Sequence, residues 1–194
     1  MHTVKTIGMF NYGLTGGGIE RVVANLSALW SEGGYRVVVF TDKQISENDD
    51  FHLPSGVTHV VLARDVVARS SSWCEVIARE RIDVVVYHQY LAHSLIQDRD
   101  AIKKAGAAFC VVFHNSCWGE RYGMDEWSPL LTPECYPKID AAVCLSPLDA
   151  LWWGTCLEVP VYYIANPVPK ALPPRKTWNA GTRDVVWVGR FAAS

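Results

Sequence analysis

The fold is organised around a glycine-rich turn, Gly13-Leu14-Thr15-Gly16-Gly17-Gly18-Ile19-Glu20-Arg21-Val22-Val23. The turn follows an apolar segment and precedes apolar residues at helical spacing, which predicts a strand, a turn and a helix. Glycines let a backbone approach a ligand closely, and a helix N-terminus offers N–H groups and the positive end of a dipole. The turn therefore suits an anion such as a phosphate. A sharp strand-to-helix turn without any ligand explains the same glycines equally well.

Strand and helix patterns alternate along the chain from this turn onward. Apolar, β-branched runs predict strands at 4–10, 35–40, 57–62, 83–88, 109–113, 141–145 and 161–164, and helical spacing predicts helices at 19–30, 72–81, 91–105 and 147–157. Strand–helix–strand units pair in parallel through right-handed crossovers. We therefore expect an α/β fold with a Rossmann-like open parallel sheet and helices on both faces.

The composition of the chain changes near its C-terminal end. Residues 168–182 are rich in proline and polar residues, which is typical of a linker. Residues 183–194 begin another apolar strand with almost no chain behind it. We interpret residues 1–167 as one Rossmann-like domain, 168–182 as an interdomain linker, and 183–194 as the first strand of a second domain that this chain does not contain.

Bulk composition excludes several classes of protein. Apolar residues make up 49% of the chain and charged residues 20%, as in globular proteins, and the net charge of -2 gives no reason to expect a nucleic-acid partner. The N-terminus resembles no signal peptide, and no apolar run is long enough to span a bilayer. The six cysteines form no CxxC pair. These features predict a reduced, cytoplasmic protein.

Ligands of open parallel sheets bind beyond the carboxyl ends of the strands. The candidate site residues at those ends are Gly16, Gly17, Gly18, His88, His114, Asn115, Ser146 and Asn166. We interpret His88, like His93 in the following segment, as a histidine that is hydrogen-bonded locally.

Other ligand classes fit the sequence less well. A dinucleotide fingerprint that begins at Gly16 and Gly18 requires glycine or alanine where Arg21 stands, although Asp42 follows the second strand as such a site needs. Cys117 and Cys135 are spaced as in no common zinc site. We therefore expect no metal, and an NAD(P)-dependent oxidoreductase domain stays as an alternative.

Five segments of the chain resemble, in order, motifs of the retaining GT-B glycosyltransferases of family four. They are the opening helix at 17–26 (GGIERVVANL), the strand-end histidine at 113–115 (FHN), and the steps at 144–146 (CLS), 164–168 (IANPV) and 186–191 (VWVGRF). These segments extend over nearly the whole chain. The last one resembles the strand that opens the second domain of that family.

The resemblance implies a function for several residues. Gly16, Gly17 and Gly18 would face donor phosphates or the acceptor, with Asn115 and Asn166 at the same edge, and Arg190 would contact the donor diphosphate. His114 would be the catalytic residue that contacts the transferred sugar. Backbone amides and a guanidinium suit phosphate oxygens, and a neutral imidazole suits sugar hydroxyls. The family transfers sugar from a nucleotide diphosphate sugar with retention and without a metal or other cofactor.

The same resemblance suggests that this chain is one part of an enzyme. The paired glutamates of the family's nucleotide-binding domain are missing, so we expect an acceptor-side domain that is inactive alone and completed by a C-terminal domain. The acceptor would be a glycan or a lipid-linked molecule. The aromatic residues between 118 and 127 suit either an acceptor platform or peripheral contact with the inner face of the membrane. A non-catalytic Rossmann-like partner subunit remains a third alternative.

Overall fold

The computed structural model describes residues 4–90, 92–117 and 138–167. Strands and helices alternate through them in the order β1 (Thr6–Asn11), α1 (Gly18–Glu32), β2 (Arg36–Thr41), β3 (Thr58–Val61), α2 (Val66–Glu80), β4 (Val84–Tyr87), α3 (Leu95–Lys104), β5 (Ala108–Phe113), β6 (Ala141–Cys144), α4 (Pro147–Cys156) and β7 (Val161–Tyr163). Within these ranges the strands form one seven-stranded sheet in the order β3-β2-β1-β4-β5-β6-β7.

All strand pairs of this sheet are parallel, which confirms the expected fold class. Ile7 in the middle of the sheet lies opposite Val37 on one side and Val84 on the other. The strand order reverses at β1, because successive strands are added first on the β2 side and then on the β4 side. The connections after β1 and β4 therefore lead to helices on opposite faces of the sheet, and a crevice at the carboxyl edge is expected between them.

Buried side chains form two apolar clusters. One contains Phe10, Phe40 and Tyr87 of the sheet together with residues of α2, α3 and α4, among them the fully buried Trp73. The other contains Met9, Val39 and the α1 residue Val23. Neighbouring strand residues such as Met9 and Phe10 belong to different clusters, because successive side chains of a strand point to opposite faces of the sheet. The sheet therefore contributes side chains to both apolar clusters.

Two helices begin at positions that differ from those expected. The helix expected at 72–81 is longer and begins at Val66, because the Asp65 carboxylate accepts hydrogen bonds from the backbone N–H groups of Val67 and Ala68. The helix expected at 91–105 begins only at Leu95. The chain before it makes separate turns, in which Ala92 N–H donates to the Gln89 carbonyl oxygen.

Several expectations lie outside the described residues. They concern the linker at 168–182, the strand at 183–194 with Arg190, and the aromatic residues 118–127. Those assignments stay predictions. In the parts of the chain that are described, no helix is long and apolar enough to cross a membrane.

Candidate functional site

Two histidines meet at the carboxyl edge of the sheet. His88 directly follows β4 and His114 directly follows β5, and the parallel pairing of these strands brings their ends together. His88 Nδ1 lies 2.9 Å from His114 Nε2. His88 is fully buried, whereas His114 is partly exposed. The expectation that His88 bonds locally is therefore wrong, because its partner stands 26 residues later on the neighbouring strand.

Both imidazoles are neutral near pH 7. Burial, reinforced by the proximity of His114, lowers the pKa of His88 to about 3. Burial lowers the pKa of His114 to about 4. A neutral pair can share a hydrogen bond because one ring donates and the other accepts, whereas two imidazolium ions would repel.

The second ring nitrogen differs between the two histidines. His88 Nε2 is buried and finds no hydrogen-bond partner in the described part of the chain. The partly exposed His114 is positioned by β5, whose last residue, Phe113, stacks on Trp153 with ring centroids 4.1 Å apart. His114 is thus partly exposed at the edge of the sheet, and the buried His88 holds its ring in place through the hydrogen bond between them.

The glycine turn is tied to the loop after β4 across the crevice. Asn11, fully buried at the end of β1, donates its amide N–H to the Gly13 carbonyl oxygen over 2.8 Å. The Asn11 side-chain oxygen accepts a short hydrogen bond from the Gln89 amide. This amide pair joins the two loops at the point where the strand order reverses.

An acidic loop occupies part of the predicted phosphate site. Gly16 N–H donates to the Asp50 carboxylate over 2.7 Å, and the Thr15 hydroxyl donates to Asp49 over 2.8 Å. Gly16 adopts φ +93°, which suits glycine, and the next residue, Gly17, caps α1 without a side-chain hydrogen bond. A phosphate that used the Gly16 N–H would have to displace Asp50, while a Cβ at Gly18 would meet only open space.

The remaining candidates occupy separate positions along the edge. Asn115 is exposed and donates its amide to the Tyr90 hydroxyl over 2.9 Å. Asn166 is exposed beyond β7. Ser146 caps α4, since its hydroxyl oxygen accepts from the backbone N–H of Asp149 and its O–H donates to the carboxylate of the same residue. Ser146 therefore has a structural role.

A buried ionic network beside the crevice was missed in the sequence. Arg69 on α2 forms a bidentate pair with the fully buried Asp98 of α3, at 2.7 and 2.8 Å, and contacts Asp42 at 2.6 Å. Burial disfavours the Arg69 charge, but the bonds to the two carboxylates outweigh it and raise the pKa of this guanidinium. Trp73 Nε1–H and the Tyr87 hydroxyl also donate to Asp98.

A signal for this network does exist in the sequence. Arg69 precedes Trp73 by four residues and Asp98 precedes Ile102 by four, so each charge lies on the apolar face of its helix.

The network also makes a dinucleotide site less suitable. Asp42, the residue that would hold a cofactor ribose, has a carboxylate oxygen engaged by Arg69.

Comparisons with known proteins decide the family. The model of Glycosyltransferase Family 4 matches residues 16–171. The chain belongs to this family. Membership favours the glycosyltransferase interpretation over the oxidoreductase one, and it confirms the resemblance drawn from the motifs. No curated protein matches the chain at a significant level.

Solved glycosyltransferase structures share the fold. A Rickettsia africae glycosyltransferase has a TM-score of 0.53 at 14% identity, over 84% of this chain and 43% of its own. Phytolacca americana UGT2, complexed with UDP-2fluoro-glucose and pterostilbene, has a TM-score of 0.56 at 11% identity, over 88% of this chain and 56% of its own. An alpha-glucosyltransferase in complex with UDP-glucose and DNA has a TM-score of 0.52 at 15% identity, over 86% of this chain and 43% of its own. The chain thus spans about half the length of these GT-B enzymes.

Proposed function

We propose that this chain is the acceptor-side domain of an enzyme that transfers a sugar, with retention, from a nucleotide diphosphate sugar to a glycan or lipid-linked acceptor. The observation that carries the proposal is the neutral His88–His114 pair at the carboxyl edge of the sheet in a family 4 chain. Catalysis would depend on stabilising the departing diphosphate. It would require no metal.

His114 is the residue that contacts the transferred sugar in this proposal. Native proteins avoid a buried N–H without an acceptor more strictly than an acceptor without a donor. The buried, unpartnered Nε2 of His88 therefore favours a proton on His88 Nδ1, which donates to His114 Nε2. His114 then carries its own proton on Nδ1 and can donate it to a sugar hydroxyl oxygen.

His88 acts through His114 and is a positioning residue. It lies 2.9 Å from the partner ring and is itself immobilised by full burial and by its backbone N–H, which donates to the Phe10 carbonyl oxygen. A fixed ring costs no reorganisation when the sugar arrives, which is the general advantage of preorganised hydrogen-bond donors.

The donor diphosphate would lie between this domain and a second one. Gly17 and Gly18 at the start of α1 would meet it from one side and Arg190 from the other, with Asn115 and Asn166 lining the edge. UDP-sugars are the first donors to test, because the similar Phytolacca americana and alpha-glucosyltransferase structures contain UDP-2fluoro-glucose and UDP-glucose. The domain division at 167 and 182, and a cytoplasmic location with peripheral membrane contact, belong to the same proposal.

The test compares this 194-residue chain with a longer protein in which the proposed C-terminal domain follows it. We expect UDP-sugar transfer from the longer protein and none from the chain alone. His114→Gln in the longer protein should lower kcat about 100-fold, as loss of one preorganised donor does elsewhere. His52→Gln, which replaces an exposed histidine outside the site, should leave kcat unchanged.

Each outcome has a distinct meaning. Transfer by the chain alone would show that the acceptor-side assignment is wrong. An unchanged kcat in His114→Gln would remove His114 from the reaction. Absence of transfer from the longer protein with every donor would favour the non-catalytic partner subunit.

A further inference from the structure

A cavity of about 490 Å³ opens at the carboxyl edge of the sheet on the other side of the crevice from His114. Loops after three strands line it: Tyr12 follows β1, Lys43 follows β2 and Arg64 follows β3, while Arg69 lies at its floor. Its volume is within the range of about 300–1,000 Å³ that small-ligand sites usually have. We call it the Lys43–Arg64 cavity.

The charges that line this cavity are mostly positive. Lys43, Arg64 and Arg69 contribute cations, and Asp42 contributes the one carboxylate among its described lining residues. Asp42 and Asp98 already neutralise Arg69. For Lys43 and Arg64, by contrast, no ion pair is formed within the described ranges. Arg69 with its two carboxylates carries one net negative charge, which the two cations without an ion pair outweigh. The open cavity therefore keeps a net positive charge.

The backbone under both cations is fixed. The buried Thr41 hydroxyl donates to the Lys43 carbonyl oxygen over 2.6 Å, and the Lys43 stem passes the glycine turn, with Cδ 3.8 Å from the place of a Cβ on Gly13. Arg64 directly precedes Asp65, whose carboxylate caps α2. Binding of an anion here therefore costs little backbone freedom, although the two exposed side chains still lose their own freedom on binding.

The cavity also contains a neutral hydrogen-bond donor. The Tyr12 hydroxyl keeps its proton at neutral pH as any phenol does, and burial and the nearby Asp42 raise its pKa further. A phenol donor beside an ammonium and a guanidinium matches the oxygens of a phosphate or a carboxylate.

We propose that the Lys43–Arg64 cavity binds an anionic group, a phosphate or a carboxylate, of the sugar acceptor. This inference rests on the proposed function. The end of β2 is three strands from the end of β5, or roughly 14 Å at normal strand spacing. The anion therefore lies away from the sugar being transferred at His114. A single sugar ring does not bridge that distance, so the acceptor is longer than a monosaccharide.

The test uses the 194-residue chain and ¹H–¹⁵N NMR titration with glucose 1-phosphate, glucuronate and uncharged glucose. We expect one or both charged sugars to shift the backbone amides of residues 42–44 and 64–66, with weaker binding at higher salt. The two charged probes distinguish a phosphate site from a carboxylate site. Lys43→Gln and Arg64→Gln should each weaken binding about tenfold, as loss of a charge-assisted hydrogen bond does.

Lys104→Gln is the matched control. Lys104 is exposed at the end of α3 and lines the adjoining α2–α3 groove but not the Lys43–Arg64 cavity, so its loss should leave the affinity unchanged. Equal shifts with glucose, or equal weakening by Lys104→Gln and Lys43→Gln, would overturn the proposal. This readout needs no sugar transfer, so failure here and failure of the proposed function are distinguishable.

Discussion

Tyr87 and His88 are neighbours at the end of β4, yet their side chains belong to two different hydrogen-bond networks, one ionic and one neutral. The Tyr87 hydroxyl donates over 2.7 Å to Asp98, inside a network of ionised groups. His88 bonds to His114 in a pair that stays neutral. Both Asp98 and His88 are fully buried, so burial alone does not decide whether a group is charged.

The number of partners explains the difference. The Asp98 carboxylate accepts from the Arg69 guanidinium, from Trp73 and from Tyr87, which compensates for the water it has lost. His88 has one neutral partner and an unpartnered Nε2, so a positive charge on its ring would have no nearby compensation. The ionic network suits a structural role, and the neutral pair suits contact with a sugar hydroxyl.

Removing the central carboxylate should have the largest effect on stability. Asp98→Ala leaves the buried Arg69 guanidinium with Asp42 alone, and breaking a buried ion pair costs about 3–5 kcal/mol. Urea denaturation should show this as a lower free energy of unfolding. Asp100→Ala removes an exposed carboxylate from the same helix and should cost at most about 1 kcal/mol. Equal losses in both variants would contradict a special role for the network.

The neutral pair should make stability depend on pH. Both histidines have folded-state pKa values below the ordinary 6.5, so the unfolded chain binds protons first as the pH falls. The free energy of unfolding should therefore be highest above pH 6.5 and decrease between pH 6.5 and about 3, the folded-state pKa of His88. Each histidine contributes a slope of at most about 1.4 kcal/mol per pH unit.

A non-titrating replacement sharpens this second prediction. His88→Gln removes one of the two groups and should flatten the decrease measured by urea denaturation at a series of pH values. His52→Gln, with its exposed side chain, should retain the full slope. An unaltered slope in His88→Gln would mean that other groups cause the pH dependence.

The smallest effect should come from the neighbour of His88. Tyr87→Phe removes one of the donors to Asp98 while the bonds from Arg69 and Trp73 remain, so the loss should be about 1 kcal/mol. The pH slope should not change, because the phenol takes no part in the histidine pair. A steeper or flatter slope in Tyr87→Phe would show that the two systems are coupled.

Much of the fold was predictable because its signals are local. Continuous β-branched runs around Val37 and Val85 identify strands, and the spacing of Val22 and Leu26 identifies the first helix. The start of α2 was not predictable from apolar spacing, because its first residues, Val66 and Val67, are exposed and the Asp65 carboxylate sets the start. Capping by one side chain leaves little trace in a periodic pattern.

The sequence by itself determined the parallel α/β class, the glycine turn, His114 at a strand end and the family. Only the tertiary structure decided that His88 supports His114, that Asp50 contacts Gly16, and that Lys43 and Arg64 share a cavity. The physical reason is that backbone conformation follows from neighbouring residues, whereas these contacts join residues 21 to 34 positions apart. They form because the order of strands in the sheet brings distant loops to one edge.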